Sequence, residues 1–409
     1  MTSQHNGATV SSRDFGLATA DRPRNAASRT VILVGAGHVH LYVAAHAEAL
    51  VERGARVVLV DPAKFWYSGL ATGMLGGMYA PAEDQVDPRT LIEAHGGEFI
   101  QDRVAFVNTG ARQLRLAGGD DLAYDYVSIN VGSRVNMDAI PGAAHDPSVW
   151  PVKPVCNLWK LREHLEARFR AGETPTVAVI GGGPSGSEVA ANLSALAARH
   201  AIAMRVTLIT SSDRLIAPAP AGAAWALRRR LARRGVVIRM HTSIVRRESK
   251  SLITEDGSRI DADVVVLASG LEAHPLVHEM GLPTHPKNGL RIHGTLQSIA
   301  DDRVFAGGDC AAMEDFHLPK LGVFGVRQSA YIHANLLASL EGKPLTEYKP
   351  QKRYLAILNL GDGTALSTWG PFWWNGRSSM WLKDLIDRRF LEGYRQPNER
   401  SLPAWQTRK

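Results

Sequence analysis

Two glycine clusters carry the clearest chemistry in this chain. Gly35-Ala36-Gly37 and the series Gly181, Gly183, Gly186 each follow four apolar residues. Such turns let a diphosphate lie against backbone N–H groups at the start of a helix, where the helix dipole faces the phosphates. Asp61, at the end of the next apolar run, stands where a carboxylate accepts ribose hydroxyls. The first turn departs from the usual fingerprint, because His40 occupies the place of the third glycine. His38 and His40 therefore flank the phosphate or ring end of a ligand, either satisfying backbone groups or taking part in chemistry. Asp309, in RVFAGGDCA, follows a Gly-Gly turn and could accept hydrogen bonds from a polyhydroxylated chain such as ribityl.

Both clusters need the same support of strand, turn, helix and strand. Residues 31–61 supply it, with helical apolar spacing from Leu41 to Leu50, a stop at Gly54 and a buried strand at Val57–Val60. Residues 176–210 repeat the unit, so two dinucleotides are implied. The second copy has Thr210 where the first has Asp61, followed by Ser211, Ser212, Asp213 and Arg214; without a carboxylate at the Asp61 position nothing there repels a 2′-phosphate, and two hydroxyls and an arginine could receive one. Between the units lie an aromatic, glycine-rich loop at 65–79, suited to a flat ring or to packing, and short strands with turn signals, which predict a small antiparallel insert. Buried strands close at Gly132-Ser133 and at Ala268-Ser269-Gly270, and proline-rich residues 150–154 mark a domain crossing. Residues 322–340 form a helix stopped at Gly342. LAILNLGDGTALSTW predicts a hairpin, and an aromatic-rich helix follows.

The expected fold is α/β, with two Rossmann-like dinucleotide-binding domains, the small β insert and a C-terminal β/helix extension. Its parts are a disordered tail at 1–29, the first domain at 30–153 and 271–345, the second at 154–270 and the extension at 346–409. At 45% hydrophobic and 21% charged residues, 409 residues suit an ordinary multidomain protein. No apolar run reaches the roughly 18 residues that span a bilayer, so membrane contact can only be peripheral. Cys156 and Cys310 form neither a disulfide framework nor a zinc site, and no metal is expected. This points to a reducing, cytoplasmic setting. The net charge of +7 comes largely from arginines at 228–230, 233–234 and 246–247, read as a solvated face or as a surface for anionic lipid or phosphate.

The motifs VGAGHVHLYVA, YDYVSINVGS with IPG, VIGGGPSGSEVAANL, VVVLASG, FAGGDCA and PKLGVFGVRQSAYIHANLLASLEGKPLTEY span most of residues 30–350 in order. Together they resemble the pyridine-nucleotide disulfide oxidoreductase superfamily. Within it the chain looks like the type II NADH dehydrogenase-like branch, and most like the flavoprotein domain joined to selenophosphate synthetase, with which His40 agrees. The resemblance implies FAD at Gly35, Gly37, His38, His40, Asp61, Val104, Gly132, Asp309 and Val323. It implies NAD(P)H as co-substrate at Gly181, Gly183, Gly186 and Gly270. Glu188 looks like the carboxylate near nicotinamide and flavin, while Lys320 and Gln328 match residues that approach the flavin edge. The paired cysteines of true disulfide reductases are absent from 65–79, and no cysteine follows Cys310 as sulfide-oxidising relatives require.

The expected activity is therefore hydride transfer from NAD(P)H to FAD and onward electron transfer to a quinone-like acceptor, with Glu188, His40 and Lys320 as the catalytic side chains. Hydride transfer depends on stacking and distance more than on a base, which fits the lack of a nucleophile or triad. Two alternatives stand: flavin chemistry on a small sulfur or selenium compound, and a flavoprotein whose reduced state is a signal read by a nucleic acid or a partner. On the favoured reading no nucleic acid is bound, and a homodimer is left open. Trp381, Leu382, Leu385, Ile386, Phe390 and Tyr394 form a helical stripe. It either packs on the flavin domain or gives weak peripheral attachment at the inner face of a membrane, beside the acceptor.

Overall fold

A computed structural model describes residues 28–395. The tail expected at the N-terminus lies, apart from its last two residues, outside the described residues.

Two five-stranded parallel sheets of one design form the frame. In the first the order is Val304–Ala306, Tyr126–Ile129, Thr30–Val34, Arg56–Val60 and Glu98–Ile100. In the second it is Val149–Pro151, Val264–Leu267, Thr176–Ile180, Arg205–Ile209 and Val237–Arg239. Valine, isoleucine and leucine fill the central strands, and Val31, Leu33, Val58, Leu59, Val179 and Leu208 are fully buried. Such runs belong to parallel strands covered on both faces. Each glycine turn sits at the carboxyl edge of its sheet, where ligands of doubly wound folds bind.

The expected insert is present as antiparallel strands Val104–Asn108, Gln113–Leu116 and Asp121–Ala123. The domain crossing comes earlier than residue 153, because Val149–Pro151 already pairs with Val264–Leu267 in the second sheet. A two-stranded ribbon, Ser133–Val135 against Leu271–Ala273, joins the domains. The closing helix Gly322–Glu341 packs along the first helix, His38–Ala44, and stops at Gly342 in the left-handed region.

Two segments differ from their sequence reading. The aromatic loop contains a helix, Ser68–Leu75, packed on the helices Cys156–Arg170 and Pro184–Arg199. Gly73 is needed there for close packing, since a Cβ would lie 2.5 Å from the Tyr79 ring. In the C-terminal extension the hairpin Leu355–Asn359 and Ala365–Trp369 gains a third strand, Phe372–Gly376, before the terminal helix Arg377–Arg395 begins. The apolar stripe is also rotated. The buried face is Met380, Lys383, Asp387, Phe390, Leu391 and Tyr394, whereas Trp381 is 68% exposed. Lys383 and Asp387 can be buried because they neutralise one another at 2.9 Å.

Candidate active site

The first glycine turn is shaped by Asn130, the residue just after the strand Tyr126–Ile129. Gly35 has φ +86°, and a Cβ on it would lie 2.8 Å from the Asn130 carbonyl oxygen, while one on Gly37 would overlap the Asn130 side chain. Asn130 Oδ1 accepts the Val39 N–H at 3.0 Å, and Nδ2 donates to the Gly307 carbonyl at 2.7 Å. One amide thus fixes the turn, the helix start and the approach to Asp309. Asp61 accepts the N–H groups of Ala36 at 2.7 Å and Ala63 at 2.9 Å, leaving lone pairs for hydroxyl donors. Burial raises its pKa, and those two N–H groups oppose the rise.

The second turn is built the same way with a different lock. Gly181 has φ +128°, and a Cβ there would lie 2.8 Å from the Ala268 carbonyl oxygen. A Cβ on Gly186 would overlap the Gly181 carbonyl oxygen, so the helix rests directly on the turn. In the first unit the equivalent carbonyl, that of Gly35, meets His40 Nδ1 at 2.6 Å, and His40 Nε2 meets Ser128 Oγ at 2.8 Å. The catalytic expectation for His40 is therefore corrected. Both ring nitrogens are engaged, the residue is fully buried, and burial lowers its pKa to about 4 despite the Gly35 carbonyl. His40 holds the turn that glycine would otherwise hold by contact.

His38 stands at the opening of the first helix. Its ring lies 5.1 Å from Phe65, 5.8 Å from Tyr67 and 5.8 Å from Phe390. Burial, then Lys153, lower its pKa to about 4 while Asp309 opposes them. It is an uncharged imidazole at neutral pH. Asp309 is seated by Gln328, whose Oε1 accepts the Gly308 N–H at 2.7 Å. Gln328 is buried, which corrects its expected place at a flavin edge. Asp309 Oδ2 accepts from Ser133 Oγ at 2.7 Å and faces Lys153 Nζ at 3.5 Å, and Lys320 Nζ donates to the Asp309 carbonyl at 2.5 Å. Burial pushes this carboxyl upward, but Lys153, Ser133 and Lys320 together hold it below the usual range.

Glu188 projects from the second unit's helix towards the C-terminal extension. Its Oε1 accepts the Asn359 N–H at 2.8 Å. Burial raises its pKa, and the charge of Lys383 with that N–H resists the rise. Val323 lies in the first turn of the closing helix, and Val104 opens the insert. Gly132 and Gly270 have φ +74° and +68° and mark the ends of the joining ribbon. Thr210 turns inward and accepts the Ser212 N–H at 3.2 Å, whereas Ser211, Ser212 and Arg214 are exposed. Cys310 is buried against the Ile129 and Gly307 carbonyls, and burial pushes its thiol up to about 11.

Sequence reasoning missed Asn130, Lys153 and the group formed by Tyr67, Asp84, Lys383 and Asp387. A polar residue closing an apolar strand was the available signal for Asn130. Lys383 and Asp387 were visible only as an i,i+4 pair. The site offers two glycine turns at helix openings, a carboxylate beyond a Gly-Gly turn and neutral acceptors beside charged groups. These residues fit two bound dinucleotides. Among the described residues, no group of three or more His, Cys, Asp or Glu side chains could hold a metal ion.

The chain is 26% identical to the type II NADH:quinone oxidoreductase of Haemophilus influenzae, over 83% of this chain and 87% of that protein. It is 25% identical to the demethylphylloquinone reductase of Synechocystis, over 86% and 88%. Its fold matches the sulfide:quinone oxidoreductase of Aquifex aeolicus with a TM-score of 0.76, at 16% identity, over 91% of this chain and 92% of the other. It also matches NDH2 from Plasmodium falciparum in complex with NADH, with a TM-score of 0.75, at 13% identity, over 92% and 99%. The pattern of the pyridine nucleotide-disulphide oxidoreductases covers residues 29–331, and the chain belongs to that family.

Proposed function

We propose that this protein is an FAD-dependent oxidoreductase that takes a hydride from NAD(P)H and passes electrons to a quinone. The carrying observation is the pair of matched cradles, one completed by the Asp309 seat, in a chain whose relatives act on NADH and quinones by name. FAD, when bound, supplies the two-electron redox chemistry. The chain's residues do the rest. Gly35, Gly37 and the helix opening at His38 bind a diphosphate. Asp61 and Asp309 orient the sugar and the ribityl chain. Gly181, Gly183 and Gly186 bring the second dinucleotide alongside, and Glu188 and Lys320 bear on protonation and charge at the ring. Exposed aromatics on the last two strands and the terminal helix, Trp369, Phe372, Trp373, Trp374 and Trp381, support weak peripheral attachment, since indole rings settle at a membrane interface. Among the described residues no helix is long and apolar enough to cross a membrane. His40 supports placement near the selenophosphate-synthetase-linked flavoproteins.

The test is a screen of soluble quinones on the purified yellow protein with NADH and NADPH. Steady turnover with a quinone, retained in a Cys156→Ser, Cys310→Ser double variant, is the expected result. A colourless protein that cannot be reconstituted with FAD would sink the reading. A loss beyond about 100-fold in the double variant, about 2.7 kcal/mol, would point to sulfur chemistry instead.

A further inference from the structure

Asp84 closes the short turn Pro81–Asp84 and is completely buried. Neither of its carboxyl oxygens has a hydrogen-bond partner among the described residues. An ionised carboxylate in that position is strongly disfavoured, because nothing replaces the water it has lost. The groups that face it are Asp387 and Lys383 from the terminal helix, Arg395 at its end, and Tyr67, beside which Tyr394 stands. Arg395 is occupied with the carbonyls of Gln85 and Ala82, each at 2.9 Å, and Glu83 with Arg388 at 3.5 Å. Glu188 acts on the same lysine. The interior therefore holds three acids, Asp84, Asp387 and Glu188, against the buried Lys383. Charge balance requires that an acid there carry a proton. Burial, then Asp387, push the Asp84 carboxyl up to about 8, with Arg395 and Lys383 opposing.

Asp387 and Tyr67 connect this pocket to the neighbourhood of His38. Asp387 Oδ1 accepts the Tyr67 hydroxyl at 2.9 Å, while Oδ2 is held by Lys383. The Tyr67 backbone N–H donates to the Asp84 carbonyl at 2.8 Å, so both acids are tied to one residue. Tyr67 stacks on Phe390 at 4.6 Å and reaches the His38 ring, which stands between the openings of the first and closing helices. We propose that the acid pair of Asp84 and Asp387 carries one proton, seated on Asp84, and that this proton, passed by way of Asp387 and the Tyr67 hydroxyl towards His38, is the one the acceptor takes from the protein. The inference rests on the quinone reading above. Reducing a quinone to a quinol consumes two electrons and two protons. NAD(P)H supplies both electrons and one proton as hydride, the acid pair supplies the second proton, and water refills the pair.

The test separates the half-reactions. Anaerobic reduction of the holoenzyme by NADH and its reoxidation by a soluble short-chain ubiquinone are followed by stopped flow from pH 6 to 9, a range that spans the region where Asp84 titrates. Reoxidation of the wild type is expected to slow as pH rises through about 8. Asp84→Asn and Tyr67→Phe should each lose that inflection and slow reoxidation on the order of 10- to 100-fold, while Asp84→Glu restores the inflection. Reduction by NADH should stay within about twofold in all three variants. The infrared spectrum of the resting protein should show a protonated-carboxyl C=O band that is lost in Asp84→Asn. An unchanged inflection in both Asp84→Asn and Tyr67→Phe overturns the relay, as does an unchanged carboxyl band in Asp84→Asn. If Asp84→Asn fails to fold, Tyr67→Phe decides, since phenylalanine keeps the stack on Phe390. A wild type that reduces no quinone defeats the functional reading, whereas quinone turnover with unmoved variants defeats only the relay.

Discussion

Asp309 and His40 show how differently single residues declare themselves. Asp309 was legible because a carboxylate after a Gly-Gly turn has few structural uses, and the structure seats it by Ser133, Lys153 and Gln328. Removing it takes away a charged hydrogen-bonding group worth about 1.5–3 kcal/mol, so Asp309→Ala should weaken FAD binding roughly 10- to 150-fold. Equilibrium dialysis of the flavin measures this. His40 could not be read, because its partner Ser128 lies on a strand 88 residues further along and its work is done across the chain rather than along it. Restoring the glycine fingerprint with His40→Gly leaves a cavity and strips the Ser128 hydroxyl of its partner. We expect a loss of about 2–4 kcal/mol in thermal or urea unfolding, not tighter flavin binding. Because the folded pKa of about 4 lies below the ordinary histidine value of 6.5, His40 favours the fold above pH 6.5 and that contribution is lost as pH falls through 4. The variant should therefore be less stable at pH 7 and lose less on acidification between those limits.

At the scale of elements, glycine turns, paired strands and the insert were legible because each follows local periodicity. The terminal helix was not, since its buried face includes an ion pair that hydropathy assigns to solvent. Met380, Phe390, Leu391 and Tyr394 are each at most 7% exposed. At about 1.5–3 kcal/mol for each large apolar side chain, they contribute on the order of 6–12 kcal/mol before entropy. Ending the chain at Gly370 should consequently unfold the protein or release its flavin, not trim an outer wall. The membrane question belongs instead to the exposed rings. A Trp373→Ser, Trp374→Ser, Trp381→Ser variant should lose flotation with liposomes at low salt while soluble-quinone turnover changes less than about threefold. Retained flotation would remove these rings from the attachment surface.

For the molecule as a whole, the two sheets repeat one plan with one chemical difference at the ribose position. Asp61 accepts an N–H of the first glycine turn, whereas Thr210 is turned inward behind exposed Ser211, Ser212, Asp213 and Arg214. NADPH should accordingly be used at least as well as NADH, as judged by kcat/KM. Arg214→Ser should lower the NADPH value by about 10-fold and leave NADH within a factor of about two, in line with one exposed charge on a phosphate. A tenfold preference of the wild type for NADH would show that other residues discriminate. Thr210 was readable as a missing acid, but its inward turn was not, because that depends on the Gly182 contact within the finished fold.

The stack of Tyr67 on Phe390 and the bond from Tyr67 to Asp387 have a consequence for how the chain is made. The two partners in that bond are 320 residues apart, so at ribosomal rates of 5–20 residues per second roughly 16–64 s separate their synthesis. Throughout that interval the aromatic segment after Asp61 has no terminal helix to cover it, although both nucleotide cradles are completed earlier. Stalling the ribosome beyond residue 345 should therefore yield a chain that binds a holdase through Tyr67 and its neighbours, and that releases it and retains flavin once the last helix emerges.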